Sequence, residues 1–175
     1  MNYICDYDSP LGKILLACDG RLLTGLWFYG QKNFAANLEP EHKKAKHYVF
    51  DLAKQWLDIY FSGKSPNDTL SSSSYSSLSV LLSLYGTEFQ VKVWMALMRI
   101  PYGKTRTYGE IASELKTSPR AVGSAVSKNN ISIIVPCHRV LGSDGSLVGY
   151  AGGLERKARL LSLESLTKLQ SVRIT

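Results

Sequence analysis

Cysteine is scarce in this chain: Cys5, Cys18 and Cys137 are the three thiols among 175 residues, and no CxxC pair occurs. That excludes a disulfide-stapled scaffold and a zinc module built on paired cysteines, and it leaves at least one thiol free to react. Long apolar runs are also missing; none approaches the ~18–20 residues needed to cross a bilayer. The opening residues, Met1 to Asp6, have neither the basic start nor the apolar stretch of a secretion signal. These absences lead to the expectation of a soluble, cytoplasmic protein with no membrane partner. Hydrophobic residues make up 45% of the chain, enough for the core of one ordinary domain or two small ones.

Negative charge is short in one half only. Residues 1–85 hold 8 Lys/Arg and 8 Asp/Glu, whereas residues 86–175 hold 13 against 6, so the second half carries the whole net charge of +7. A basic half beside a neutral half suggests that one part meets a polyanion, although a merely well-solvated basic surface gives the same count.

Tyr3–Tyr7, Lys13–Cys18 and Leu22–Phe28 read as strands joined by turns at Ser9-Pro-Leu-Gly12 and Asp19-Gly20, a small antiparallel meander. Ala45, Tyr48, Val49, Leu52, Trp56 and Tyr60 recur at helical steps, and Gly63 closes that helix. The serine-rich stretch around Ser71–Ser77 reads as a spacer. The expected division is therefore an N-terminal α/β domain (1–66), a linker (67–84) and a C-terminal domain (85–175). In the latter, Thr87-Glu-Phe-Gln90 and Thr107-Tyr-Gly-Glu110 have capping-box spacing. Phe89, Val93 and Leu97, with Trp94 and Met98, form the apolar face of the first of these helices. Ser118-Pro119 starts a further helix running to Lys128. Two short helices joined at Lys116-Thr117 are a helix-turn-helix signal. Ala121, Gly123, Ser124, Ala125 and Ser127 leave one side of the second nearly bare, suited to DNA or to a tightly packed neighbouring helix.

Cys137 sits in Pro136-Cys-His-Arg139. A lone cysteine is usually an inert core residue. Here Pro136 fixes the backbone before it, while His138 and Arg139 can favour the nucleophilic thiolate. The glycines of Gly142–Gly145 and Gly149–Gly153 suggest loops around a pocket. A water between Cys137 and His138 could carry the proton, and a carboxylate must orient the imidazole. The residues alone do not say which carboxylate, nor do they separate a Cys–His hydrolase from an alkyl acceptor.

Ile134-Val-Pro-Cys-His-Arg-Val140 closely resembles the active-site signature of the methylated-DNA–protein-cysteine methyltransferases. Gly86-Thr-Glu-Phe-Gln90, Ile100-Pro-Tyr-Gly103, Arg120-Ala-Val-Gly123, Gly149–Lys157 and Leu160–Glu164 extend the likeness in order. Ser9–Lys13, Gly25–Phe28 and Leu57–Gly63 extend it more loosely.

The resemblance implies an α+β protein: a ribonuclease-H-like N-terminal domain, then a mostly helical, winged-helix-like domain with the helix-turn-helix. It implies alkyl transfer from O6-alkylguanine, and less strongly from O4-alkylthymine, in double-stranded DNA to Cys137, once per molecule. His138 would take the cysteine proton through water, and Glu164 would hold His138. The final helix would carry Glu164 with Leu154, Ala158 and Leu161 facing the core. Tyr108 would help rotate the nucleotide and donate to guanine N3. Arg120 would enter the base stack, and Ser118, Ala121, Gly123 and Lys128 would lie against the minor groove. Val140, Tyr150 and Ala151 would line the base pocket, and Asn129 would tie the helix-turn-helix to the reactive loop. Asn130, where many members carry proline, would loosen the following turn. No metal or cofactor is expected, because His42 and His47 do not match the zinc ligands some relatives carry, and the protein is expected to be monomeric. A non-transferring alkyltransferase-like module and a Cys–His hydrolase are the rivals; the first type lacks the cysteine.

Overall fold

The computed structural model describes residues 2–70 and 81–172, with side chains to Ser165, so Ser71–Ser77 lies outside the described residues. Strands β1 (Asn2–Ser9), β2 (Gly12–Cys18) and β3 (Leu23–Phe28) form the expected meander. A fourth strand, β4 (His42–Lys44), pairs parallel to β1, giving the order β3-β2-β1-β4. It escaped the pattern reading because His-Lys-Lys has no apolar alternation to betray it.

Period-two alternation gives the sheet two faces. Ile14, Leu16, Cys18, Leu26 and Phe28 join the main core, while Leu15, Ala17 and Trp27 pack under Phe34, Ala35 and Leu38. Helix α1 (Tyr48–Phe61) covers the first face with Val49, Phe50, Ala53, Trp56, Leu57 and Tyr60, a stripe at three- and four-residue steps. A short helix, α2 (Pro66–Leu70), occupies part of the stretch expected as linker. Ser83 N–H donates to the Leu23 carbonyl, so the end of that stretch is tied to β3.

Helix α3 (Glu88–Met98) begins at Thr87 with both bonds of the capping box formed. Val93, Trp94, Ala96 and Leu97 are its buried residues, whereas Phe89, expected on the apolar face, is exposed. Helix α4 (Tyr108–Glu114) starts from the second capping box, and α5 (Pro119–Val126) from Ser118, whose Oγ accepts from Ala121 N–H. Lys116, at φ 51°, turns the chain between them. Helix α5 stops at Val126 rather than Lys128. Ala125 is not on its bare face: it is buried, and its carbonyl accepts from Trp94 Nε1. Two-residue strands β5 (Arg106–Thr107) and β6 (Val140–Leu141) pair in parallel.

The last helix, α6 (Leu154–Val172), turns a different face inward from the one expected. Leu154 is exposed, and the inward positions are Lys157, Leu160 and Glu164. An apolar-only pattern was bound to miss this, because two of the three inward side chains are charged.

Candidate active site

The reactive segment is strung between the two halves of the chain. Leu26 N–H donates to the Asn130 carbonyl and Ser132 N–H to the Leu26 carbonyl, anchoring residues 130–132 on β3. Asn130 Nδ2 also donates to the Tyr85 carbonyl, so Asn130 ties this turn down where loosening was expected. Ile133 has φ 70°, and Ile134 N–H donates to the Ser132 carbonyl at 2.8 Å, a tight three-residue turn about a β-branched residue. Such a conformation is costly and survives only where its surroundings impose it. Pro136 centres a second turn of this size, with Cys137 N–H on the Val135 carbonyl, and delivers Cys137 into a single 3-10 turn, Cys137–Arg139.

Cys137 is 4% exposed. Asn129 Nδ2 donates to its Sγ at 3.1 Å and to the Val135 carbonyl at 3.0 Å, while Asn129 Oδ1 accepts from Ile131 N–H. One amide therefore joins the end of the helix-turn-helix to the thiol. Burial pushes the thiol pKa up, partly offset by the Asn129 hydrogen bond and by Lys157. At rest Cys137 is thus a protonated thiol that needs a base. The positive charge expected of His138 and Arg139 does not reach the thiol, because Arg139 is paired with Glu164 and burial favours the neutral form of His138.

His138 is fully buried, with Nε2 2.7 Å from Glu164 Oε1. Glu164 Oε1 and Oε2 accept from Arg139 Nε, Oε1 accepts from Arg139 Nη2 at 3.0 Å, and Oε2 accepts from Gly103 N–H at 2.8 Å. Burial alone would raise the Glu164 pKa; the bonds to His138 and Arg139 outweigh it and hold the carboxylate ionised. Burial lowers the His138 pKa, with Glu164 opposing, so the imidazole is neutral near pH 7. An ionised Glu164 accepts the Nε2 proton, which leaves Nδ1 as the basic nitrogen. Nδ1 is buried and has no protein hydrogen-bond partner.

Beside this relay lies a cavity of about 280 Å³ into which Cys137 opens, walled by Tyr108, Gly123, Gly149, Tyr150, Ala151 and Lys32. Tyr108 Oη reaches the carbonyls of Val148 and Gly149 at 3.4 and 3.3 Å, and burial holds its pKa above the usual value, so it is a donor. Gly152 lets the Tyr150 ring lie against the backbone: a Cβ there would come within 2.5 Å of it. Val140 is buried and does not line this cavity; its N–H donates to the Cys137 carbonyl and its carbonyl accepts from Lys157 Nζ. Lys157 is itself fully buried and also bonds the Val148 carbonyl at 2.6 Å. Burial lowers its pKa to about 8, with Cys137 pushing back. Arg120, Ser118 and Lys128 are exposed on α5 and at its ends, with Ala121 and Gly123 half-buried beside them.

Cys137, His138, Glu164, Asn129, Tyr108, Tyr150, Ala151 and Val140 therefore meet at one place; Gly123 of α5 joins them in the cavity wall, while Ser118, Arg120 and Lys128 are exposed. Sequence reasoning missed Lys157, Tyr60 and Lys32. A lysine and a tyrosine at helical spacing look like a solvated face and a core residue, and nothing local marks Lys32.

Comparison with known proteins places both halves. Residues 3–70 match the family model described as the ribonuclease-like domain of 6-O-methylguanine DNA methyltransferase, and residues 88–166 match that protein's DNA-binding domain. The chain is 44% identical over 169 residues to a methylated-DNA–protein-cysteine methyltransferase of Mycobacterium leprae, covering 94% of this chain and 93% of the relative. It is also 44% identical to the protein of that name from Methanosarcina acetivorans, over 93% of this chain and 97% of the relative. Among solved structures, Mycobacterium tuberculosis OGT in complex with DNA is similar, with TM-score 0.76, 39% identity and coverage of 94% and 93%.

Proposed function

The chain belongs to the methylated-DNA–protein-cysteine methyltransferase family, and from that premise we propose that it repairs O6-alkylguanine in duplex DNA by moving the alkyl group irreversibly onto Cys137. The observation that carries this reading is the buried thiol opening on a cavity of about 280 Å³, one residue from an imidazole whose Nε2 is held by Glu164 at 2.7 Å.

A base inside a duplex cannot reach a buried thiol, so the lesion is flipped out. Arg120, exposed at the start of α5, fills the vacated stack, an arrangement that suits minor-groove entry. Ser118, Ala121, Gly123 and Lys128 lie along the groove, and phosphate contacts from the basic half make binding sequence-independent and salt-dependent. The cavity then holds guanine between Tyr108, Tyr150 and the Ala151 amide, with Cys137 behind it.

His138 Nδ1 takes the Cys137 proton through a bridging water while Glu164 stabilises the resulting imidazolium. The sulfur attacks the alkyl carbon in line; the S–C bond forms as the C–O6 bond breaks, and the electron pair stays on guanine. Tyr108 donates a hydrogen bond or proton to guanine N3 as charge develops there. Asn129, on Sγ, favours the thiolate at the moment of attack. A thioether is a poor leaving group, so the thiol is not regenerated and each chain acts once, as a monomer on DNA.

Labelling with a fluorescent O6-benzylguanine tests the reading. The label should saturate near one per chain and vanish in Cys137→Ala. Label that persists in Cys137→Ala, or fluorescent product that keeps accumulating beyond one per chain, contradicts it.

A further inference from the structure

Helix α1 belongs to the first domain, yet it sends one hydroxyl into the relay of the second. Tyr60 is fully buried, and its Oη donates to Glu164 Oε1 at 2.8 Å, the same oxygen that holds the His138 Nε2 proton. That hydroxyl lies 3.3 Å from Nε2 itself. Its aim is set by packing. The ring stacks on Trp56 at 5.5 Å and 7°, and Phe61 and Tyr102 meet it edge-on at 5.4 and 5.9 Å. Burial, and then the negative charge of Glu164, raise its pKa well above the usual phenol value, so the hydroxyl keeps its proton and acts as a donor.

A core tyrosine commonly places its hydroxyl on whatever acceptor is near. Here the acceptor is the one carboxylate oxygen that orients the base, and sharing it has a chemical consequence. Each donor on Oε1 draws off charge that would otherwise stabilise the imidazolium.

We propose that Tyr60 is a positioning residue of the transfer reaction, its phenol sharing Glu164 Oε1 with the imidazole and the Arg139 guanidinium and so tuning the strength of His138 as a base. The proposal rests on the alkyl-transfer reading above. The charged and titratable groups around His138 are then Glu164 and Lys157 from α6, Arg139 and Cys137 from the 3-10 turn, and Tyr60 from α1. Tyr102 completes the enclosure, its ring 5.7 Å from the Arg139 guanidinium. Among these, Tyr60 alone comes from the first domain. The ribonuclease-like domain thereby reaches the base that serves the thiol, His138, through two hydrogen bonds in series.

The test is the pH dependence of single-turnover methyl transfer from an O6-methylguanine duplex, from about pH 5 to about pH 9. The proteins compared are the unaltered chain, Tyr60→Phe and Tyr7→Phe. Tyr60→Phe keeps the ring stack and removes the donor. With one donor gone, Glu164 stabilises the imidazolium better, His138 becomes easier to protonate, and the acid limb moves up by about half a unit or more. Transfer should be several-fold slower on the acid side and approach the unaltered rate on the alkaline side. Tyr7, whose hydroxyl donates to Asp58 at 2.7 Å away from the relay, serves as the control and should leave the limb in place. An ortho-fluorinated tyrosine installed at position 60 retains ring and hydroxyl but donates more strongly, and should move the limb the other way. An acid limb unmoved in Tyr60→Phe, whether the rate is kept or uniformly reduced, overturns the proposal and leaves Tyr60 a packing residue. A limb that moves equally in Tyr7→Phe overturns it as well. An unaltered chain that transfers no methyl overturns the proposed function itself, and this inference with it.

Discussion

The sheet region, residues 2–70, and the helical region, residues 81–172, differ in how they use buried polar groups. The first buries apolar side chains almost throughout; Gln31 is its one wholly polar buried residue among those described, and it caps the local turn at Phe28. The second buries Ser132 against Gln31, and Asn129, His138, Arg139, Lys157 and Glu164 in the reactive site. Burying charge is expensive unless every partner is in place. The sheet region supplies part of that surrounding: β3 anchors residues 130–132, α1 supplies Tyr60, and Lys32 N–H holds the Ala151 carbonyl. The lesson is that one apolar core runs through both regions while the chemistry lies in the second, which depends on the first for part of its shape.

Four changes would break or sharpen this contrast. The largest effect is expected from Glu164→Gln, which leaves Arg139 buried without its anion and His138 without a fixed tautomer. Transfer should slow by at least about 100-fold, and unfolding in urea should show a loss of about 3–5 kcal/mol. Leu16→Ala, in the sheet, should cost a comparable 2–5 kcal/mol, roughly, in the same unfolding experiment. Yet each folded molecule should still transfer its methyl at nearly the original rate. If Leu16→Ala slowed transfer as much as Glu164→Gln does, the division of labour would be wrong.

Acid comes next. Because burial lowers the His138 pKa, the imidazole stays unprotonated below the ordinary histidine range. As pH falls, transfer should therefore hold through about pH 6.5 and decline only below it. A rate that already halves above that point would mean that His138 carries charge at rest. The smallest effect is expected from Asn33→Ala. It removes the exposed hydrogen bond from Asn33 Nδ2 to the Ser127 carbonyl, which links the two regions. A loss of about 1–2 kcal/mol, from the bond and from alanine at the left-handed φ of 58°, should appear in thermal melting, with little change in rate.

Much of this could be read along the chain where the signal is local. The capping boxes at Thr87 and Thr107, the Ser118-Pro119 helix start and the three strands of the meander each lie within a few neighbouring residues, and each appears in the structure. Strand β4 did not announce itself, because its partner β1 lies about forty residues away and its own side chains are exposed. The inward face of α6 differs from the expected Leu154, Ala158 and Leu161 because Lys157 and Glu164 are buried by polar partners on other elements, which hydropathy does not register. Glu164 entered the site through family resemblance alone, and Tyr60 showed only its helical spacing and a place in the loosely matching stretch Leu57–Gly63, neither of which marks a role. What decides such residues is an acceptor on another element, which no local pattern contains.

The central claim is one irreversible transfer per chain. Titrating the protein with excess duplex DNA carrying O6-methylguanine, and locating the methyl group by mass spectrometry, tests it most directly. The account predicts a plateau at one methyl per chain, on the peptide bearing Cys137, with restored guanine in equal amount. Repair that continues beyond that plateau, or a methyl group found on any other residue, would contradict it.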